Sequence, residues 1–214
     1  SYHIYIRNKT GINMKTYRKR YINQIKNYRR HYIHLVIFTI IAIAACIYMH
    51  IPQCFFPSDY EAYLTADDIY NNGTHYVKCH ADTLYYTGYD YTRGASTKGY
   101  YYYSLENDLC TFYLISKDTV GESPMLTLYD VYFTGVLVNN SSSLNSLRKY
   151  LADDLNWNVT GMQKFSSNII ISECNYNIIL YVLTASYALF VLISDIEFII
   201  FLIIKKKLFS KNKS

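Results

Sequence analysis

The sequence predicts a membrane protein in which two transmembrane α-helices flank a small extracytoplasmic β-rich domain. That domain reads as α+β, with the plan of an OB-like barrel or a related sandwich. Three observations predict this. An apolar run lies toward each end of the 214-residue chain, basic residues crowd the outer side of both runs, and the hydrophobic period between them is two with one switch to a helical period.

The first apolar run, LVIFTIIAIAACIYM from Leu35 to Met49, extends through its flanks to residues 32–51. That is about the twenty residues needed to cross a hydrocarbon core of about 30 Å. It ends at His50-Ile51-Pro52 with no small-x-small cleavage pattern, so it reads as an anchor rather than a signal peptide. The second run, IILYVLTASYALFVLISDIEFIIFLII, covers residues 178–204 and is longer than a span requires. It carries Asp195 and Glu197, candidates for an intramembrane pairing site. An acid at mid-membrane costs about 2.5–3.5 kcal/mol on insertion scales, so the surplus length favours Asp195 near the inner interface.

Charge sets the expected topology. Residues 1–31 hold nine Lys or Arg and no acid, and residues 205–214 hold five lysines. Both ends therefore belong in the cytoplasm of a plasma-membrane protein under the positive-inside rule. Residues 52–177 carry fourteen acids against seven bases, an acidic extracytoplasmic domain hidden within the formal net charge of +5. The basic arm beside the lipid suits anionic headgroups, and no nucleic-acid partner is expected.

Within the outer domain, Thr65 suits an N-cap with Asp67 and Asp68 in the first turn behind it. From His75 the alternation places Val77, Cys79, Ala81, Tyr85, Tyr89 and Tyr91 on one side of a long strand, with a bend at Gly88. RGASTKG turns the chain into KGYYYYS, and Glu106-Asn107-Asp108 turns it again into LCTFYLIS, giving a three-stranded meander. TLYDVYFTGVLV is a fourth strand, its VYFTG echoing LYYTG at Gly88. Leu144, Leu147, Leu151 and Leu155 mark an amphipathic helix near 143–155 capped by Ser142 or Ser143, and FSSNIIISE is the last strand. The sequons at Asn72, Asn139, Asn140 and Asn158 read as products of an Asn- and Ser-rich, AT-rich bacterial composition.

Leu84 to Ser104 holds eight of the chain's 26 tyrosines. A run of four puts Tyr100 and Tyr102 on one face and Tyr101 and Tyr103 on the other, so a one-sided sheet exposes one pair. That pair, with Tyr86, is the candidate aromatic platform for a partner or ligand, against the plainer role of covering the sheet. The cysteines Cys54 and Cys174 flank the two spans and form the favoured bridge, with Cys79 and Cys110 as a second pairing or as buried free thiols. The chain has no HExxH, GxSxG, Walker or CxxC motif, and no metal or cofactor is expected.

With the two spans, the basic flanks and the ADTLYYTGYDY, KGYYYYS and CTFYLIS core, the chain resembles uncharacterised two-pass membrane proteins of Firmicutes type with a Tyr-rich outer domain. That resemblance implies no activity. In architecture alone it is similar to auxiliary β subunits of large-conductance potassium channels, which have two spans, inner termini and a cysteine-bearing outer domain. The expected function is non-catalytic: an accessory or binding protein that recognises a partner protein, a second copy or an envelope component. The alternatives are an enzyme or assembly factor completed by a partner chain, and a channel or transporter auxiliary subunit.

Overall fold

A computed structural model describes residues 32–60, 65–106 and 109–211. The basic arm, Asn107 and Asp108 of the second turn, and the last three residues of the tail lie outside the described residues. The chain divides into two compact units: Met49–Tyr181, and one whose described parts are the helix Tyr32–Tyr48 (α1) and the chain from Val182 onward.

The Met49–Tyr181 unit is α+β around a six-stranded mixed sheet. A short helix α2 (Ile51–Phe55) follows His50, whose φ of 46° is left-handed, and Pro52 occupies its first turn. Strand β1 (Ser58–Asp59) pairs in parallel with the long β2 (Tyr76–Arg93). Between them lies α3 (Ala66–Asn71), capped by Thr65, whose hydroxyl accepts from Asp68 N at 3.1 Å. Strands β3 (Ser96–Glu106) and β4 (Leu109–Ser116) complete the meander. A single turn, α4 (Lys117–Val120), leads to β5 (Thr127–Val138). Helices α5 (Ser141–Asp154) and α6 (Val159–Lys164) precede β6 (Ser166–Ser172). The order is β1-β2-β3-β4-β6-β5, and β5 also pairs with β2, so five strands close on themselves. β6 lies parallel to β4 and antiparallel to β5.

Closure creates an inside and an outside. Val77, Cys79, Leu84, Tyr100, Tyr102, Tyr113, Ile115, Phe133 and Ile171 fill the interior, with Ala66 and Ile69 of α3 and Val120 of α4 packed into the same cluster. A second cluster forms on the outer face of β3, β4 and β6, where Tyr101, Phe112, Leu114 and Ile170 meet Leu144, Leu147, Leu151 and Met162 of α5 and α6. β4 is thus buried on both faces, which is why it reads as a continuous apolar run.

Several expectations are corrected by this arrangement. Inward residues of β2 run 77, 79, 81 and then 84, and those of β5 run 128, 131 and 133, so both paired strands change face at the same level. Asp130, at φ 53°, sits at that switch. Tyr85 is therefore exposed, while Tyr89 and Tyr91 pack on the outer cluster rather than beside Val77. Gly88 does bend its strand: its φ is 85° and the register to β3 shifts between Tyr86 and Asp90. The echoing Gly135 has no left-handed φ; a Cβ there would meet Ile171 Cγ2 at 2.8 Å, so the shared motif answers two different constraints. Asn140, not Ser142 or Ser143, caps α5, and Asn158 caps α6. Leu155 of the expected stripe falls just past α5 and is 36% exposed.

Among the described residues one helix, α7 (Ile178–Lys211), is long and apolar enough over Ile178–Ile203 to cross a membrane. The helix α1 is apolar but shorter, and the chain turns at Met49 and His50. The helix at this end therefore stops short of the expected boundary at residue 51.

Candidate ligand-binding cleft

The bend at Gly88 carries the last part of β2 onto the outer face, opposite α5. A cleft of about 340 Å³ opens there, lined by Tyr89, Asp90, Tyr91 and Thr92 of β2, Tyr101 of β3, and Ser143, Ser146, Leu147 and Tyr150 of α5. Tyr101 and Leu147 are buried and form its apolar base. The Tyr89 ring stacks on Tyr150 with centroids 4.4 Å apart, and Tyr91 meets Tyr101 edge-on at 6.2 Å. Tyr150 remains 44% exposed, so its ring is available from solvent.

The polar groups are hydroxyls and one carboxylate. Asp90 Oδ1 accepts from the Tyr86 hydroxyl at 2.7 Å. Burial pushes the Tyr101 phenol above its ordinary value, and a hydrogen bond with Ser143 partly opposes this. The Tyr89 phenol is also raised, by burial and then by Tyr150 and the carboxylates Asp154 and Asp153. These phenols stay neutral donors near pH 7. The lining holds no His, Cys or Lys; its polar groups are the phenols, the Thr92, Ser143 and Ser146 hydroxyls and the Asp90 carboxylate. What it offers is flat aromatic surface, neutral donors and one anion.

The expected exposed tyrosine pair is not present, because both faces of β3 are covered. Tyr100 and Tyr102 point into the closed sheet and tie down the loop before β5, donating to Glu122 O at 2.6 Å and Met125 O at 3.0 Å. Tyr101 is the one member of the run that lines the cleft. Tyr103 is half-buried against the outer cluster beside Tyr85. Tyr86 packs on the interior cluster and reaches the cleft only through its hydroxyl.

The five cysteines are free thiols in the structure. Cys79 belongs to the interior cluster and Cys110 to the outer one, so the sheet separates them. Burial pushes each up to about 12, which leaves them inert at neutral pH. Cys54 Sγ contacts Ile51 O, whereas Cys174 Sγ lies 3.5 Å from Lys98 O, so the favoured neck bridge is not formed. In α7, Asp195 Oδ2 accepts from Thr39 at 2.9 Å, and Glu197 is exposed. Among the described residues no cluster of three or more His, Cys, Asp or Glu is arranged to hold a metal.

Sequence reasoning missed Tyr89, Asp90, Tyr91, Ser143, Ser146 and Tyr150 as a group. Only the spacing of Tyr150 three residues after Leu147 signalled an aromatic at the edge of the buried stripe of α5. It also missed Arg148, which is buried without an acidic ion-pair partner among the described residues. Its guanidinium donates to Ser166 Oγ at 2.7 Å, Ser167 O at 2.9 Å and Asn168 Oδ1 at 2.9 Å. No family model, curated protein or solved structure matches the chain.

Proposed function

We propose that this is a membrane-anchored, non-catalytic recognition protein of the plasma membrane. Two helices anchor it, both termini lie in the cytoplasm, and the Met49–Tyr181 unit works outside as an OB-like barrel. The five-strand closure with a parallel β4–β6 pair supports that fold name. Membrane anchoring is supported by the basic flanks and by the exposure of α7: its most apolar window is only 6% buried, unlike the core helix of a soluble domain. The shorter α1, flanked by the basic arm, is assigned as the second span.

The observation that carries the recognition role is the tyrosine cleft. Side chains of the interior cluster pack inside the closed sheet, and the cleft lies on the outer surface. There the cleft presents stacking faces, hydroxyls and Asp90, a combination that suits the apolar face and the hydroxyl edge of a sugar ring. Among envelope components, we therefore assign a saccharide as the ligand.

The test is titration of the full chain in lipid nanodiscs with soluble amino-sugar oligomers, followed by saturation-transfer NMR. The expected result is saturable transfer to the sugar ring protons, lost in Tyr150→Ala and weakened in Asp90→Asn. Absence of binding, or binding indifferent to both substitutions, would remove the cleft from the account.

A further inference from the structure

The helical unit contains a groove that the cleft does not involve. α1 and α7 pack antiparallel, with Tyr32 against Phe198 at 5.7 Å and Thr39 beside Asp195. Thr39 Oγ1 lies 2.9 Å from Leu35 O and 2.9 Å from Asp195 Oδ2, so its single proton is shared between two acceptors. Beyond this contact the small side chains Ala42, Cys46 and Ala188 leave a groove of about 270 Å³. Asp195 and the Thr39 hydroxyl are the polar groups in an otherwise apolar lining.

The position of Asp195 follows from where the helix leaves the sheet unit. Tyr181 belongs to that unit, its ring edge-on to Tyr76 at 5.4 Å and to Tyr176 at 5.6 Å. The apolar run left for lipid is residues 182–204, about 34 Å at 1.5 Å per residue and close to the thickness of a hydrocarbon core. Asp195 falls near its middle, not at the inner interface that the full run from Ile178 suggested. An acid at that depth needs a partner.

One shared hydroxyl is a weak partner for a carboxylate that can accept several bonds. Among the described residues no base forms an ion pair with Asp195. Residues 32–51 and 178–204 contain no Lys or Arg, so a second copy would bring another acid to this depth and no base.

We propose that the groove between α1 and α7 seats a transmembrane helix of a different protein that carries a Lys or Arg at mid-span and pairs it with Asp195. The small residues of the groove admit that helix at close range, as in other membrane helix contacts. The inference rests on the membrane reading above and is independent of what fills the tyrosine cleft.

Cys46, in the groove lining, is a native reporter. The full chain in nanodiscs is combined with a synthetic 23-residue Leu/Ala span bearing one central Lys, and with control peptides bearing central Leu or central Glu. Modification of each cysteine by a bilayer-permeant maleimide is followed by peptide mapping. The Lys peptide should slow modification of Cys46 about tenfold, leave Cys174 unchanged, and lose its effect on Asp195→Asn, which retains an acceptor for Thr39. Asp195→Lys should transfer the protection to the Glu peptide.

Equal protection by the Leu peptide would overturn the proposal, as would protection that survives Asp195→Asn. Peptide-free protection that grows with chain density would assign the groove to a second copy instead. A chain released by alkaline carbonate would refute the membrane reading together with this inference, whereas an inserted chain indifferent to the Lys peptide would refute the inference alone.

Discussion

Replacing Arg148 with methionine removes a buried charge from the start of β6. Methionine keeps the apolar stem that packs between α5 and the strand, while removing the guanidinium that donates to Ser166, Ser167 and Asn168. The Ser166 and Ser167 acceptors stay buried, whereas exposed Asn168 can turn to water, and leaving a buried acceptor unpaired costs more than an average hydrogen bond stabilises. The charge-assisted bonds to the two buried serines would total about 3–6 kcal/mol at about 1.5–3 each. Release of the desolvated guanidinium to water offsets part of this, leaving a net loss of about 2–4 kcal/mol. For a unit the size of Met49–Tyr181, this lowers the melting temperature by about 6–15 °C. The assay is thermal unfolding of the full chain in detergent, followed by near-ultraviolet circular dichroism of its tyrosines. Arg148→Lys, which keeps the charge but loses the planar fork, should fall between wild type and Arg148→Met. A melting temperature for Arg148→Met within about 2 °C of wild type would refute the reasoning, since a change that small corresponds to well under about 1 kcal/mol.

Gly99→Ala would drive a methyl group onto Ile115 O and to 2.5 Å from Cys174 Sγ, so it should destabilise the unit by about 1–3 kcal/mol. Adding Cys174→Ala should recover only part of that loss, because the clash with the backbone carbonyl remains; thermal melts of the single and double variants check this. His75 packs at a tilt against His50, with ring centroids 4.0 Å apart, and burial followed by His50 holds its pKa below the ordinary 6.5. Its folded form thus favours the neutral ring, so its contribution is complete above pH 6.5 and is lost as the pH falls below that value toward the lowered folded pKa. Melts at pH 7.5 and 5.5 should show lower stability in acid, and His75→Phe, which keeps an aromatic ring in the contact, should flatten the difference.

Much of the β-architecture was legible because it rests on local signals. Thr65 caps its helix as its position before two aspartates implied, Gly88 bends its strand, and Leu144, Leu147 and Leu151 bury the face their spacing marks. The tyrosine run was misread for a reason of topology. Alternation fixes which rings share a face, but only closure of β5 onto β2 and the packing of α5 on the other side decide that both faces are covered. The cleft escaped notice because β2 changes face near Asp82 opposite Asp130, so simple parity from Val77 carried Tyr85, Tyr89 and Tyr91 to the wrong side. Cys79 and Cys110 looked pairable along the chain, yet the sheet stands between them. Arg148 carries no mark in the sequence at all, since its partners are largely backbone and hydroxyl oxygens eighteen to twenty residues away.

The central claim is that the Met49–Tyr181 unit faces outward on two anchored helices with both termini inside, and thiol accessibility in intact cells tests it most directly. Ser96→Cys places a thiol at the exposed start of β3, beside the turn from β2, and Ser214→Cys places one at the end of the tail. Measured against the wild-type background, a membrane-impermeant maleimide should modify the Ser96→Cys chain in intact cells and the Ser214→Cys chain only after the cells are permeabilised. Modification of Ser214→Cys from outside, or protection of Ser96→Cys until permeabilisation, would contradict the account.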